Sequence, residues 1–91
     1  MIIRKQGDWL AARVGDEILM MSAEQGLYLG LNAVGARIWD LIETPSTADT
    51  VCARLLTEFA VEPDLCRVEV DAFLVQLARH RAIVLEPPTR G

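Results

Sequence analysis

The stretch Gly26-Leu27-Tyr28-Leu29-Gly30-Leu31-Asn32-Ala33-Val34-Gly35-Ala36-Arg37-Ile38-Trp39-Asp40-Leu41 changes character in its middle. Leu27 to Leu31 is a short apolar run with a β-favouring aromatic, entered through a glycine able to take positive φ. Asn32 is a helix-capping residue, and Val34, Ile38, Leu41 and Ile42 then recur at helical spacing. The stretch therefore predicts a strand passing directly into a helix. Upstream, Trp9–Val14 and Glu17–Ser22 are two further apolar runs. They are separated by the turn pair Gly15-Asp16, and Ala23-Glu24-Gln25-Gly26 makes a second turn. Two short turns predict a three-stranded antiparallel meander with Leu27–Leu31 at one edge. Gly26 and Gly30 lower the side-chain bulk along that edge.

Downstream, three helices are predicted. The first runs to about Glu43 and is broken by Thr44-Pro45. Ser46 or Thr47 caps the second, whose stripe is Val51, Cys52, Leu55, Leu56 and Phe59. Val61-Glu62-Pro63-Asp64 breaks and restarts the chain, with Pro63 suited to a helix start. The third helix spans about Asp64 to Arg81, with Arg79, His80 and Arg81 where basic charge favours the helix dipole. Ile83-Val84-Leu85 can form a last short strand, and residues from about 86 to 91 read as a flexible tail. The fold class is α+β: a winged helix-turn-helix-like domain, a meander followed by three helices, spanning residues 1–91 as one unit.

Composition narrows the function. With 13 acidic and 9 basic residues among 91, the chain carries net negative charge, which argues against a mainly phosphate partner. Apolar residues make up 52%, a globular composition. No apolar run approaches the ~20 residues needed to cross a bilayer. The start lacks the long apolar stretch of a signal peptide, which implies a cytoplasmic chain without membrane partners. Cys52 and Cys66 fall on apolar helical positions and read as reduced core residues. His80 is the single histidine, flanked by Arg79 and Arg81 at a helix end, so a His-rich metal site is excluded and a solvated charge is the simpler reading. Glu62, Asp64, Glu69 and Asp71 do not converge. Gly26, Gly30 and Gly35 lack the Lys-Ser/Thr of a phosphate loop. No catalytic residues, metal ligands or cofactor are predicted.

The third helix carries more apolar surface than a small core needs. At ~100° per residue, Cys66, Val70, Phe73, Leu74 and Leu77 share one face. Leu65, Val68, Ala72 and Val75 form a second stripe on the opposite side. Either that stripe packs on the meander or tail within the chain, or it awaits a partner, including a second copy of the chain. A winged-helix outline also raises DNA binding, but a helix opening with Glu62, Asp64, Glu69 and Asp71 against only Arg67 would repel phosphate.

Gly26-Leu27-Tyr28-Leu29-Gly30-Leu31-Asn32, followed by Val34-Gly35-Ala36-Arg37-Ile38-Trp39-Asp40-Leu41, resembles the signature of PqqD-like proteins. Cys66-Arg67-Val68-Glu69-Val70-Asp71-Ala72-Phe73-Leu74-Val75-Gln76-Leu77 is similar to that family's closing helix. The resemblance covers roughly residues 10 to 85. It implies a non-enzymatic peptide-recognition element that binds the leader segment of a ribosomally made precursor peptide. Such elements present the leader to a modifying enzyme: a cysteine leader peptidase in lasso-peptide pathways, a radical-SAM enzyme in pyrroloquinoline quinone synthesis. The Tyr-Leu-Gly-Leu-Asn and Arg-Ile-Trp-Asp-Leu segments are closer to the lasso type. The resemblance places the leader between the third strand and the third helix, and an edge strand can accept an extended peptide as a fourth strand. Leu27, Tyr28, Leu29 and Gly30 are then expected to receive the added strand, and Val68, Ala72, Val75, Gln76 and Arg79 its side chains. Arg67 and Arg79 are candidates for pairing with leader acids. Periodicity alone does not decide which flank of the helix faces the cleft.

Overall fold

The meander closes through two tight turns. In the computed structural model, which describes residues 1–87, strand β1 is Ile2–Lys5, β2 is Trp9–Val14, β3 is Glu17–Ser22 and β4 is Leu27–Leu31. Gly15 and Gly26 both take positive φ, 64° and 66°, where a side chain would be strained. β2, β3 and β4 form an antiparallel sheet in that order. The register sets Trp9 opposite Ser22, Met20 opposite Leu29 and Ile18 opposite Leu31. Ile18, Met20 and Leu31 are buried on the inner face.

Three helices follow, as the capping residues require. α1 is Ala33–Leu41, and Asn32 Oδ1 accepts the Gly35 N–H at 2.9 Å. α2 is Ala48–Glu58, and of the two capping candidates it is Thr47 whose hydroxyl accepts the Thr50 N–H. α3 is Pro63–Arg79, opening on proline and closing on Arg79. Arg81 lies beyond it with φ of 59°.

A second sheet was not legible in the sequence. β1 lies between β5, Ser46–Thr47, and β6, Ile83–Glu86, antiparallel to both. Ile2 stands opposite Glu86 and Lys5 opposite Ile83, so the two ends of the described chain run side by side. β6 confirms the expected last strand and carries it to Glu86. The expected tail therefore does not begin at residue 86, because Glu86 is paired; residues 88–91 lie outside the described residues.

The two sheets and three helices enclose one core, with Ile3, Met20, Ile42, Leu55, Leu77 and Ile83 among its most buried side chains. Cys52 and Cys66 are buried free thiols within it, as expected. Burial, and then the adjacent Cys66, push the Cys52 thiol above its ordinary value, which keeps it protonated. No described helix is long and apolar enough to cross a membrane.

Ile3, in the central strand of the second sheet, is buried in the core, so Ile3→Ala is expected to lower unfolding stability by about 2–5 kcal/mol, measured by urea titration. A loss below about 0.5 kcal/mol would show that β1 is dispensable.

Candidate functional site

β4 is built from its turn outward. Ser22, at the end of β3, is fully buried, and its hydroxyl donates to Asp8 Oδ1 at 2.6 Å. The other Asp8 oxygen accepts the Glu24 N–H at 2.9 Å, and Ser22 Oγ accepts the Gln25 N–H at 3.1 Å. The Gly26 N–H donates to the Ser22 carbonyl. This staple satisfies a buried polar group and fixes the turn from which β4 starts. It also sets the charge of Asp8: the Ser22 hydroxyl, then the Glu24 N–H, hold its carboxyl below the ordinary carboxylate value.

α3 is tied alongside β4 at two points. Before the strand begins, Gln25 Nε2 donates to the His80 carbonyl at 2.8 Å. After it ends, the Phe73 ring lies against Gly35; a Cβ there would meet two ring carbons at 3.2 Å. The glycine inside α1 permits that approach. β4 pairs only with β3, so its other edge is unpaired among the described residues. That edge leads through Asn32 into α1, against which Phe73 of α3 packs.

Beside Gly35 a cavity of about 230 Å³ lies between α1, α2 and α3. Val34, Ile38, Leu55, Phe59, Val70 and Phe73 give it apolar walls. Its polar side chains are Asn32, whose oxygen is used in capping α1, and Glu69. A cavity of this size and lining is matched to one large apolar side chain. Among the described residues no group of His, Cys, Asp or Glu is placed to hold a metal ion.

The expected site residues divide between two sides of α3. Leu27 and Leu29 are half-buried, while Tyr28 and Gly30 point outward on the edge strand, with Tyr28 67% exposed. Ala72, Gln76 and Arg79 are exposed on α3. Arg67 and Val75 line a different depression with Met1, Ile3 and Leu85, on the opposite flank. Arg67 is moreover held by Asp49 and by Asp71, the latter at 3.1 Å. Val68 lies between the flanks and faces solvent. Glu69 and Phe73 of α3 line the cavity beside Gly35, while Arg67 and Val75 line the other depression. Phe73, Glu69 and the α1 residues Val34 and Ile38 were absent from the sequence expectation. The signal that could have found them is Gly35, a helix-interior glycine marking a close approach.

The second stripe of α3 is open. Leu65, Val68 and Val75 are 52%, 64% and 47% exposed, and Ala72 is exposed beside them. Packing within the chain therefore does not account for it. A comparable face occurs on the meander, where Leu10, Val14, Leu19 and Tyr28 are exposed.

The meander, three helices and the cavity between them define a small α+β domain of the winged-helix-like kind. Residues 17–83 match the family described as Coenzyme PQQ synthesis protein D (PqqD), and the chain belongs to that family. Its fold is similar to the solved structure of TbiB1 in complex with the TbiA(beta) leader peptide. There the identity is 25% and the TM-score 0.83, over 93% of this chain and 99% of that one. It is also similar to a lasso peptide synthetase B1 complexed with the leader peptide. That match has 18% identity and a TM-score of 0.79, over 91% and 98% of the two chains, a likeness of fold. No curated protein sequence matches the chain.

A carboxyl held below its ordinary value stabilises the fold above that value and ceases to do so as acid protonates it. For Asp8 the ordinary value is 3.8. The stability difference between the wild type and Asp8→Asn is therefore expected to be full at pH 7 and to be lost as pH falls below that ordinary value. Urea titrations across that range measure it. A difference independent of pH would mean that the staple does not depend on the charge of Asp8.

Proposed function

We propose that the chain binds the leader segment of a ribosomally synthesised precursor peptide as a fourth strand on β4 and presents it to a partner leader peptidase in a lasso-peptide pathway. The observation that carries this reading is the unpaired edge of β4 beside the flank of α3, the helix being fixed there at Gln25 and at Gly35. Backbone hydrogen bonds along such an edge give affinity with little dependence on sequence, and side-chain pockets add selectivity. The cavity beside Gly35 is that pocket, and it accepts one anchoring side chain. The two solved relatives, each a complex with a leader peptide, support the same reading.

The chain acts as an adaptor, and the chemistry belongs to the partner. The outer face of the meander is the surface left for that partner. Leu10, Met21 and Tyr28 lie in one cross-strand row, and Ala12, Leu19 and Gly30 in the next. A peptide added to β4 would extend both rows by one strand. The partner would then meet apolar sheet and leader together.

Selection of random 12-residue peptides displayed on phage is expected to enrich extended sequences. Synthetic copies should bind at least tenfold more weakly to Ala72→Arg, which fills the groove. They should bind within twofold to Val75→Arg, on the other flank. Fluorescence polarisation measures both, and equal binding to Ala72→Arg would overturn the proposed groove. A second variant separates peptide from partner. Leu19→Arg is expected to retain peptide affinity but to reduce precursor cleavage by the cognate peptidase at least tenfold, followed by mass spectrometry. Unchanged cleavage would remove the meander's outer face as the partner surface.

A further inference from the structure

Strand addition leaves a problem for the proposed function. Main-chain hydrogen bonds do not select which way the peptide runs, and a slip of one residue exchanges its two faces. Something beside β4 has to read position. Glu69, Ala72, Gln76 and Arg79 recur at the spacing of one ridge along α3. Its ends carry opposite charge, ten positions apart, which is about 15 Å along a helix.

Neither charge stands in an ion pair among the described residues. Arg4, Lys5, Arg13, Arg37, Arg54 and Arg67 all stand in ion pairs within the chain. Arg79 and Arg81 do not, and Arg79 is the one on a helix. Three acids of α2 and α3 are paired within the chain. Glu58 is taken by Arg37 and Arg54, and Asp49 and Asp71 by Arg67. Glu69 makes no ion pair, and it is the one charged side chain lining the apolar cavity. Its helical neighbours at i−4 and i+4, Leu65 and Phe73, offer no cation.

We propose that α3 fixes the direction and register of the bound peptide through these two charges. Glu69 receives a basic side chain adjacent to the residue anchored in the cavity. Arg79 receives an acidic side chain about four or five residues away along the extended peptide, the number that spans the same distance at strand rise. The preferred ligand class is thus an extended peptide with an apolar anchor, a cation beside it and an anion toward the His80 end of the groove. The inference rests on the strand-addition reading and adds to it the order of charges.

The test selects the same 12-residue phage library on the wild type and on E69K/R79E, in which the two charges are exchanged. Peptides enriched by the wild type should share a basic and an acidic position four or five residues apart. The double variant should enrich the reverse order. Synthetic wild-type winners should lose about tenfold in affinity to the double variant and recover when their own two charges are exchanged. The difference should shrink as salt is raised, as expected of exposed pairs. E69Q and R79Q, each removing one charge, should abolish the preference at one position only. Enrichment of the same charge order by wild type and E69K/R79E would overturn this proposal while leaving strand addition standing. If the folded wild type enriches no peptide, both readings fall together.

Discussion

The placement of α3 beside β4 is the constraint on which the rest of the molecule depends. It rests on two contacts of different kinds. At one end a side-chain amide reaches across from the β3–β4 turn to the last carbonyl region of the helix, between Gln25 and His80. At the other an aromatic ring is allowed close to α1 because residue 35 has no side chain. The first contact is directional and the second is steric. Together they fix α3 relative to the β3–β4 turn and to α1, and the cavity lies between α1, α2 and α3. The Asp8–Ser22 staple belongs to the same device, since it fixes the turn that carries Gln25.

The apolar surface of the chain is distributed accordingly. A small domain usually spends its large hydrophobic side chains on its core. Here Leu10, Val14, Leu19, Tyr28, Leu65, Val68 and Val75 remain exposed on two faces. The charges are treated in the opposite way, with most cations neutralised by internal pairs that contribute little to stability individually. Pairing them instead removes non-specific attraction for phosphate and for acidic surfaces. The exposed acids that open α3, Glu62, Asp64 and Glu69, add to that effect on a helix that a winged-helix outline would otherwise assign to DNA.

Much of this was legible in the sequence, for local reasons. Gly15, Gly26, Asn32, Thr47 and Pro63 each mark an element boundary through their own backbone or capping chemistry, and the structure places boundaries at all five. The strands and helices between them follow from periodicity. β1 and β5 were not legible, because four residues and two residues carry no periodicity, and their pairing partner in β6 lies far away in sequence. The division of α3 into flanks was equally hidden. Helical spacing gives angles about the axis but not which neighbour occupies each angle. Arg67 and Val75 looked equivalent to Ala72 and Gln76 until β1 and β6 were seen to occupy their side. Val34, Ile38 and Phe73 looked like ordinary core, since a cavity wall and a packed interior demand the same residue types.

The pairing of Ile2 with Glu86 brings the two ends of the described chain together in a sheet on the far flank of α3. A tether attached at either end would leave the groove unobstructed. This geometry makes the domain portable: joined to an enzyme through one short linker, it would hold a captured peptide at millimolar effective concentration beside the enzyme. The paired ends and the proposed peptide surface thus lie on opposite flanks of α3.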